Sequence, residues 1–137
     1  MKKILSTLIL MTVLLSACAG ANSLDGTKWA LVSYGPAENQ TSAIPDIFAY
    51  IYFNTEGNIE GKVGCNSFSG AYEVSGKTLT TGPLMSTLMG CESPIMEQET
   101  AVMMLLNGEL PFEIDGENLT ITSEDGNSEL HLVHTEN

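Results

Sequence analysis

From Trp29 onward the chain is cut into short apolar runs by turns built on glycine, and this punctuation limits the fold more than any other feature. Ala49 to Phe53 is followed by Asn54-Thr55-Glu56-Gly57-Asn58 and then Ile59 to Val63. Ala71 to Val74 meets Ser75-Gly76-Lys77 and Thr78 to Thr81. Phe112 to Ile114 meets Asp115-Gly116 and Asn118 to Thr122, and Glu124-Asp125-Gly126-Asn127 leads into Glu129 to Val133. Asp-Gly and Asn/Gly turns between alternating apolar residues are hairpin signals, and Leu119, Ile121, Leu130 and Leu132 keep the period of two of a half-buried antiparallel strand. Trp29 to Tyr34, ended by Gly35-Pro36, reads as the first strand. Residues 36–46, polar and holding Pro36 and Pro45, read as a loop.

One segment departs from this rhythm. Ser93-Pro94, Ile95 to Leu106 and Asn107-Gly108 predict a helix, with serine as N-cap, proline at N1, Glu97 and Glu99 near the positive end, and Gly108 at C′. Ile95, Val102, Leu105 and Leu106 are expected to face the core, and Glu97, Gln98 and Thr100 to face water. The expected fold is mainly β (α+β), a small antiparallel curled sheet or cracked barrel with one helix.

The N-terminus carries an address. Lys2 and Lys3 precede an apolar stretch from Ile4 to Leu15, and Ser16-Ala17 supplies small residues before Cys18. The stretch is too short to span a bilayer, which needs about 20 apolar residues. Leu15-Ser16-Ala17-Cys18 resembles a bacterial lipobox, so residues 1–17 are expected to be a lipoprotein signal peptide. Residues 18–24 would then be a tether anchored by lipid on Cys18, and residues 25–134 the domain. The competing interpretation is an ordinary secretory signal cleaved at the same small residues. Ala19 after the cysteine resembles outer-membrane sorting, which would place the protein on the periplasmic side if the host has two membranes.

Charge excludes one class of partner. The chain has five lysines, no arginine and 17 acids; without Lys2 and Lys3, three lysines stand against 17 acids, a net −14. No basic footprint exists for nucleic acid.

The residues carrying the most specific pattern are Gly64-Cys65-Asn66, Phe68, Gly70 and Tyr72, preceded by Trp29-Ala30-Leu31 and followed by Met89-Gly90-Cys91 before the helix. Together Trp29, Gly64, Cys65, Asn66, Phe68, Gly70, Tyr72, Met89 and Cys91 resemble the motif of the META, or HslJ-like, domain of bacterial envelope proteins, over about residues 25–133. Gly90 stands where alanine is common in that pattern. The resemblance implies an exported or lipid-anchored cracked barrel with a helix and no attached catalytic activity, in some members linked to envelope stress. A broader likeness of fold to lipid-binding pilot proteins suggests an apolar ligand, a peptide or an envelope protein as partner.

Each remaining candidate has a plainer alternative. Cys65 and Cys91 in an oxidising compartment favour a disulfide, which would stabilise the fold by roughly 3.5 kcal/mol; two buried thiols are the alternative. Gly61, Gly64 and Gly70 lack the Lys-Ser/Thr of a phosphate loop and are expected at bulges or close approaches. Asn66 is expected to bond local backbone at the bend. Met85, Met89, Met96, Met103 and Met104 could offer soft sulfur to Cu(I) but fit a core or groove better. His131 and His134 point to opposite faces of a strand. No metal, cofactor or catalytic residue is expected, and the function expected is non-enzymatic binding or, alternatively, a structural or stress-protective role without a pocket.

Overall fold

A computed structural model describes residues 23–136. The expected signal peptide, Cys18 and most of the expected tether lie outside the described residues. The elements are β1 (Thr27–Pro36), β2 (Thr41–Ser42), β3 (Tyr50–Phe53), β4 (Asn58–Lys62), β5 (Ser67–Ser75), β6 (Thr78–Thr81), β7 (Met85–Ser86), α1 (Ser93–Leu105), β8 (Gly108–Asp115), β9 (Asn118–Thr122) and β10 (Ser128–Thr135).

Eight of the ten strands form a ring in the order β1-β3-β4-β5-β6-β8-β9-β10, closed by antiparallel pairing of β10 with β1. The barrel is therefore closed rather than cracked or merely curled, while the mainly β class holds. The closing pair runs from Lys28↔Thr135 to Pro36↔Ser128, with a bulge at Val32 between Leu31↔Leu132 and Ser33↔His131. Sequence patterning alone does not reveal that the first and last strands are neighbours, because their pairing is the least local in the chain.

The interior follows the period of two. Trp29 and Leu31, Ile51 and Phe53, Leu79, Leu110 and Phe112, Leu119 and Ile121, Leu130 and Leu132 all point inward and are buried. The hairpin turns form where glycine permits positive φ, as at Gly76 (60°) and Gly116 (59°). Leu24, expected in the tether, is 1% exposed and belongs to the same core as Trp29 and Tyr72.

The helix is tied to the barrel where Gln98 meets Ile44 and Val63 and where Glu99 meets Asn66. Its N-cap is Glu92 rather than Ser93, with no side-chain cap; Ser93 lies one residue inside and its hydroxyl donates to Glu97 Oε1 at 2.6 Å. Glu97 and Glu99 fall beyond the first turn. At the other end Leu106 is the C-cap, so Gly108 is one residue past C′ and opens β8. Val102 and Leu106 are fully buried and Leu105 packs against the core, as expected. Gln98 is not in water: it is fully buried, accepting from Ile44 N at 2.8 Å and donating to Val63 O at 2.7 Å. A buried amide satisfied at both ends can replace an apolar residue, which a count of apolar positions does not detect.

Candidate functional site

The motif of Gly64, Cys65 and Asn66 lies where β4 turns into β5, against the first turns of α1. Asn66 is 3% exposed and makes five hydrogen bonds. Its backbone N–H donates to Glu99 Oε2 at 2.6 Å and its Nδ2 to Glu99 Oε1 at 2.7 Å. Nδ2 also donates to Met89 O at 3.2 Å, while Oδ1 accepts from Met89 N at 2.7 Å and from the Thr87 hydroxyl at 2.8 Å. Asn66 thus does more than bond the local bend: it pins residues 87–89, more than twenty positions away, to the helix. Both Glu99 oxygens are occupied, so this buried carboxylate is held by donors rather than by a cation.

Gly64 makes the approach possible. A Cβ there would stand 2.6 Å from Glu99 Cβ and 2.8 Å from Ile95 O. Gly70 does the same for the 83–84 segment, 2.6 Å from Leu84 Cδ2, and Gly61 leaves room for the Phe68 ring and Tyr50 O. These glycines mark close approaches, as the sequence indicated. Cys65 and Cys91 form a disulfide with Cα atoms 6.2 Å apart, fastening the β4–β5 junction to the residue before the helix N-cap.

The remaining motif residues serve the barrel. Trp29 is buried; its indole N–H donates to Thr27 Oγ1 at 2.7 Å and its ring meets the edge of His134 at 5.4 Å. Tyr72 donates to Asp25 Oδ1 at 2.6 Å with Asn54 O 3.0 Å away, and burial together with that carboxylate pushes its phenol pKa well above the ordinary value. Met89 contributes its backbone to the Asn66 network while its side chain is 55% exposed.

That exposure borders an open groove of about 670 Å³, lined by Ile47, Phe48, Met89, Ile95, the disulfide, Gly64 and Gly90, with Lys62 and Asp46 as its charged residues. Phe48 is 60% exposed and stacks on Tyr50 at 5.7 Å, and Leu88, next to Met89, is 95% exposed. Met85 and Met104 are also exposed and are not core residues, whereas Met103 packs against the core. Sequence reasoning does not single out Phe48 or Lys62, and it places Ile95 in the core, whereas Ile95 is only half-buried and lines the groove. The three come from separate segments and meet only when the barrel closes, and sequence reasoning does not find Glu99 as the partner of Asn66.

Among the described residues no cluster of three or more histidine, cysteine or acidic side chains has metal-site geometry. His131 pairs with Glu129 at 3.0 Å on the outer face and His134 with Glu117 at 3.3 Å; they share no partner. Among the described residues no helix is long and apolar enough to cross a membrane.

A family model for the META domain matches residues 22–136. No curated protein sequence matches. Among solved structures, the fold is similar to an NMR structure of a protein from Burkholderia xenovorans (TM-score 0.71, 20% identity, 83% of this chain and 85% of that one). It is also similar to a second protein solved by NMR (TM-score 0.61, 21% identity, 79% and 89%). A crystal structure of a DUF4847 family protein from Bacteroides vulgatus ATCC 8482 aligns with TM-score 0.57 at 14% identity, over 82% and 94%. At these identities the likeness is one of fold.

Proposed function

We propose, for a chain that belongs to the META domain family, a non-enzymatic role in the cell envelope: a lipoprotein held on a membrane through Cys18, whose barrel receives a small apolar ligand, a peptide or a partner protein in the groove beside the disulfide. The observation that carries this reading is the exposure of Phe48, Leu88 and Met89 at and beside the groove. Large apolar side chains clustered at a surface are a mark of interaction sites. The disulfide agrees with an oxidising compartment, and the signal and lipobox pattern supplies the address.

Titration of the purified protein with a fluorescent apolar probe, together with native mass spectrometry, tests the binding. Saturable probe binding that Ile95→Arg abolishes supports it; no ligand and no probe binding would refute it. Metabolic labelling with palmitate tests the address, since label should be lost in Cys18→Ala.

A second reading, a structural or stress-protective lipoprotein without a ligand, is favoured by one specific observation. Asn66, Gly64, Gly70, Trp29 and Tyr72 are all engaged in holding the fold, and of the motif only Gly64, Cys65, Met89 and Cys91 reach the groove.

A further inference from the structure

The charge around the groove differs from that of the chain as a whole. Three of the five lysines lie among the described residues, and two of them flank one tyrosine beside the groove. Lys62, a lining residue, stands opposite Tyr50 in the β3–β4 pair. Lys28 reaches the same ring from β1, its ammonium 4.4 Å from the Tyr50 centroid and 5.6 Å from that of Phe48, which also lines the groove. Among the described residues no carboxylate comes within ion-pair distance of a lysine, the only such pairs being those of His131 and His134. In a chain of net charge −12, two lysines without acidic partners beside an open apolar groove concentrate positive charge where the rest of the surface repels anions. The first turn of α1, which contributes Ile95, has no side-chain cap, and a helix N-terminus likewise favours negative charge. Asp46 is the one acid among the lining residues.

We propose that the groove takes a monomeric amphiphile with an acidic head: an apolar chain lying on Ile47, Phe48, Met89 and Ile95, and a carboxylate or phosphate reaching Lys62 and Lys28. The proposal rests on the binding reading above and narrows it to one ligand chemistry. A cationic amphiphile would leave both lysines facing a like charge, and a neutral one would gain only the apolar contact. An anionic head gains charge-assisted hydrogen bonds in addition. The ligand is a dissolved amphiphile rather than a bilayer surface, because the net charge opposes approach of the whole domain to anionic headgroups.

The test compares dodecanoate, dodecyl phosphate, dodecanol and dodecyltrimethylammonium, each below its micelle concentration, by calorimetry and amide chemical shifts of the purified protein. Dodecanoate and dodecyl phosphate should bind about tenfold tighter than dodecanol, as expected for one charge-assisted contact in a half-open site. The shifts should centre on Phe48, Lys62, Met89 and Ile95. Lys62→Ala with Lys28→Ala should bring the anion within about twofold of the alcohol, a residue too small for an ion pair to remain, while Lys77→Ala leaves the preference intact. Equal affinity for all four compounds, or tightest binding of the cation, overturns the proposal and leaves the binding reading standing. If no compound binds, both fall. Co-sedimentation with phosphatidylglycerol vesicles in the absence of monomer binding overturns the proposal as well.

Discussion

Asn66 and Glu99 face each other across the junction of barrel and helix through two hydrogen bonds, at 2.6 and 2.7 Å, that occupy both carboxylate oxygens. The pair holds three things at once: the start of β5, the segment carrying Met89, and the second turn of α1.

Asn66→Ala should therefore be among the most destabilising single changes, because it leaves a buried carboxylate short of donors. A loss of about 3 kcal/mol or more is expected, because a buried group left without its partner costs about 1–3 kcal/mol, and more when that group is charged, and the change also releases Thr87 and Met89. Glu99→Gln should cost less, about 1–3 kcal/mol, since one amide oxygen still accepts while its NH₂ opposes a donor. Urea unfolding of both single variants and the double variant gives the coupling, and the double variant should be more stable than the sum of the single losses implies.

Two glycines make a matched pair of controls. Gly64→Ala places a methyl against Glu99 Cβ and Ile95 O and should cost about 1–3 kcal/mol, the usual range for overpacking. Gly90→Ala meets nothing within 4 Å and should change stability by no more than about 0.5 kcal/mol, as surface substitutions do. Thermal melts of the two variants check the contrast.

Replacing both Cys65 and Cys91 with serine opens a link across 26 residues of sequence, which loop entropy values at about 3.5 kcal/mol. Chemical denaturation should show that loss with the barrel still folded. The Asn66 contacts would continue to hold Met89, so amide exchange should rise more at residues 90–92 than at 87–89.

Stability should fall at both ends of the pH scale for identifiable reasons. Asp125 accepts from the Ser123 hydroxyl and from Asn127 N, which holds its carboxyl down to about 2. A folded-state value below the unfolded one stabilises at neutral pH and is lost as pH falls toward that value. Asp125→Asn should flatten the acid limb of a pH–stability profile. Tyr72 has the opposite sign: burial and Asp25 raise its pKa, so its contribution is present below the ordinary phenol value and is lost as pH rises beyond it. Tyr72→Phe should be less stable at neutral pH and lose less above pH ~10, the unperturbed tyrosine value.

Much of the barrel is written in local pattern. The turns at Gly57, Gly76, Gly116 and Gly126, and the alternation of Leu119, Ile121, Leu130 and Leu132, each involve residues close in sequence, and all appear where expected. What local pattern does not carry is the meeting of distant segments. Closure depends on Lys28 pairing with Thr135, and the groove depends on Phe48, Lys62 and Ile95 arriving from three elements. Gln98 reads as solvent-facing because its type is polar, and Glu99 reads only as an acid near the positive end of the helix. Their burial follows from partners supplied by Ile44, Val63 and Asn66, none of them near in sequence.

The pairing of β1 with β10 makes the barrel topologically circular. Because Lys28 and Thr135 are side by side, a short linker would join the two ends of the barrel, and new ends could be opened at the Gly76 turn, where nothing crowds the backbone. Such a permuted chain would keep every strand pairing while moving the point of attachment to another hairpin. The order in which the strands are synthesised is thus separable from the order in which they pair.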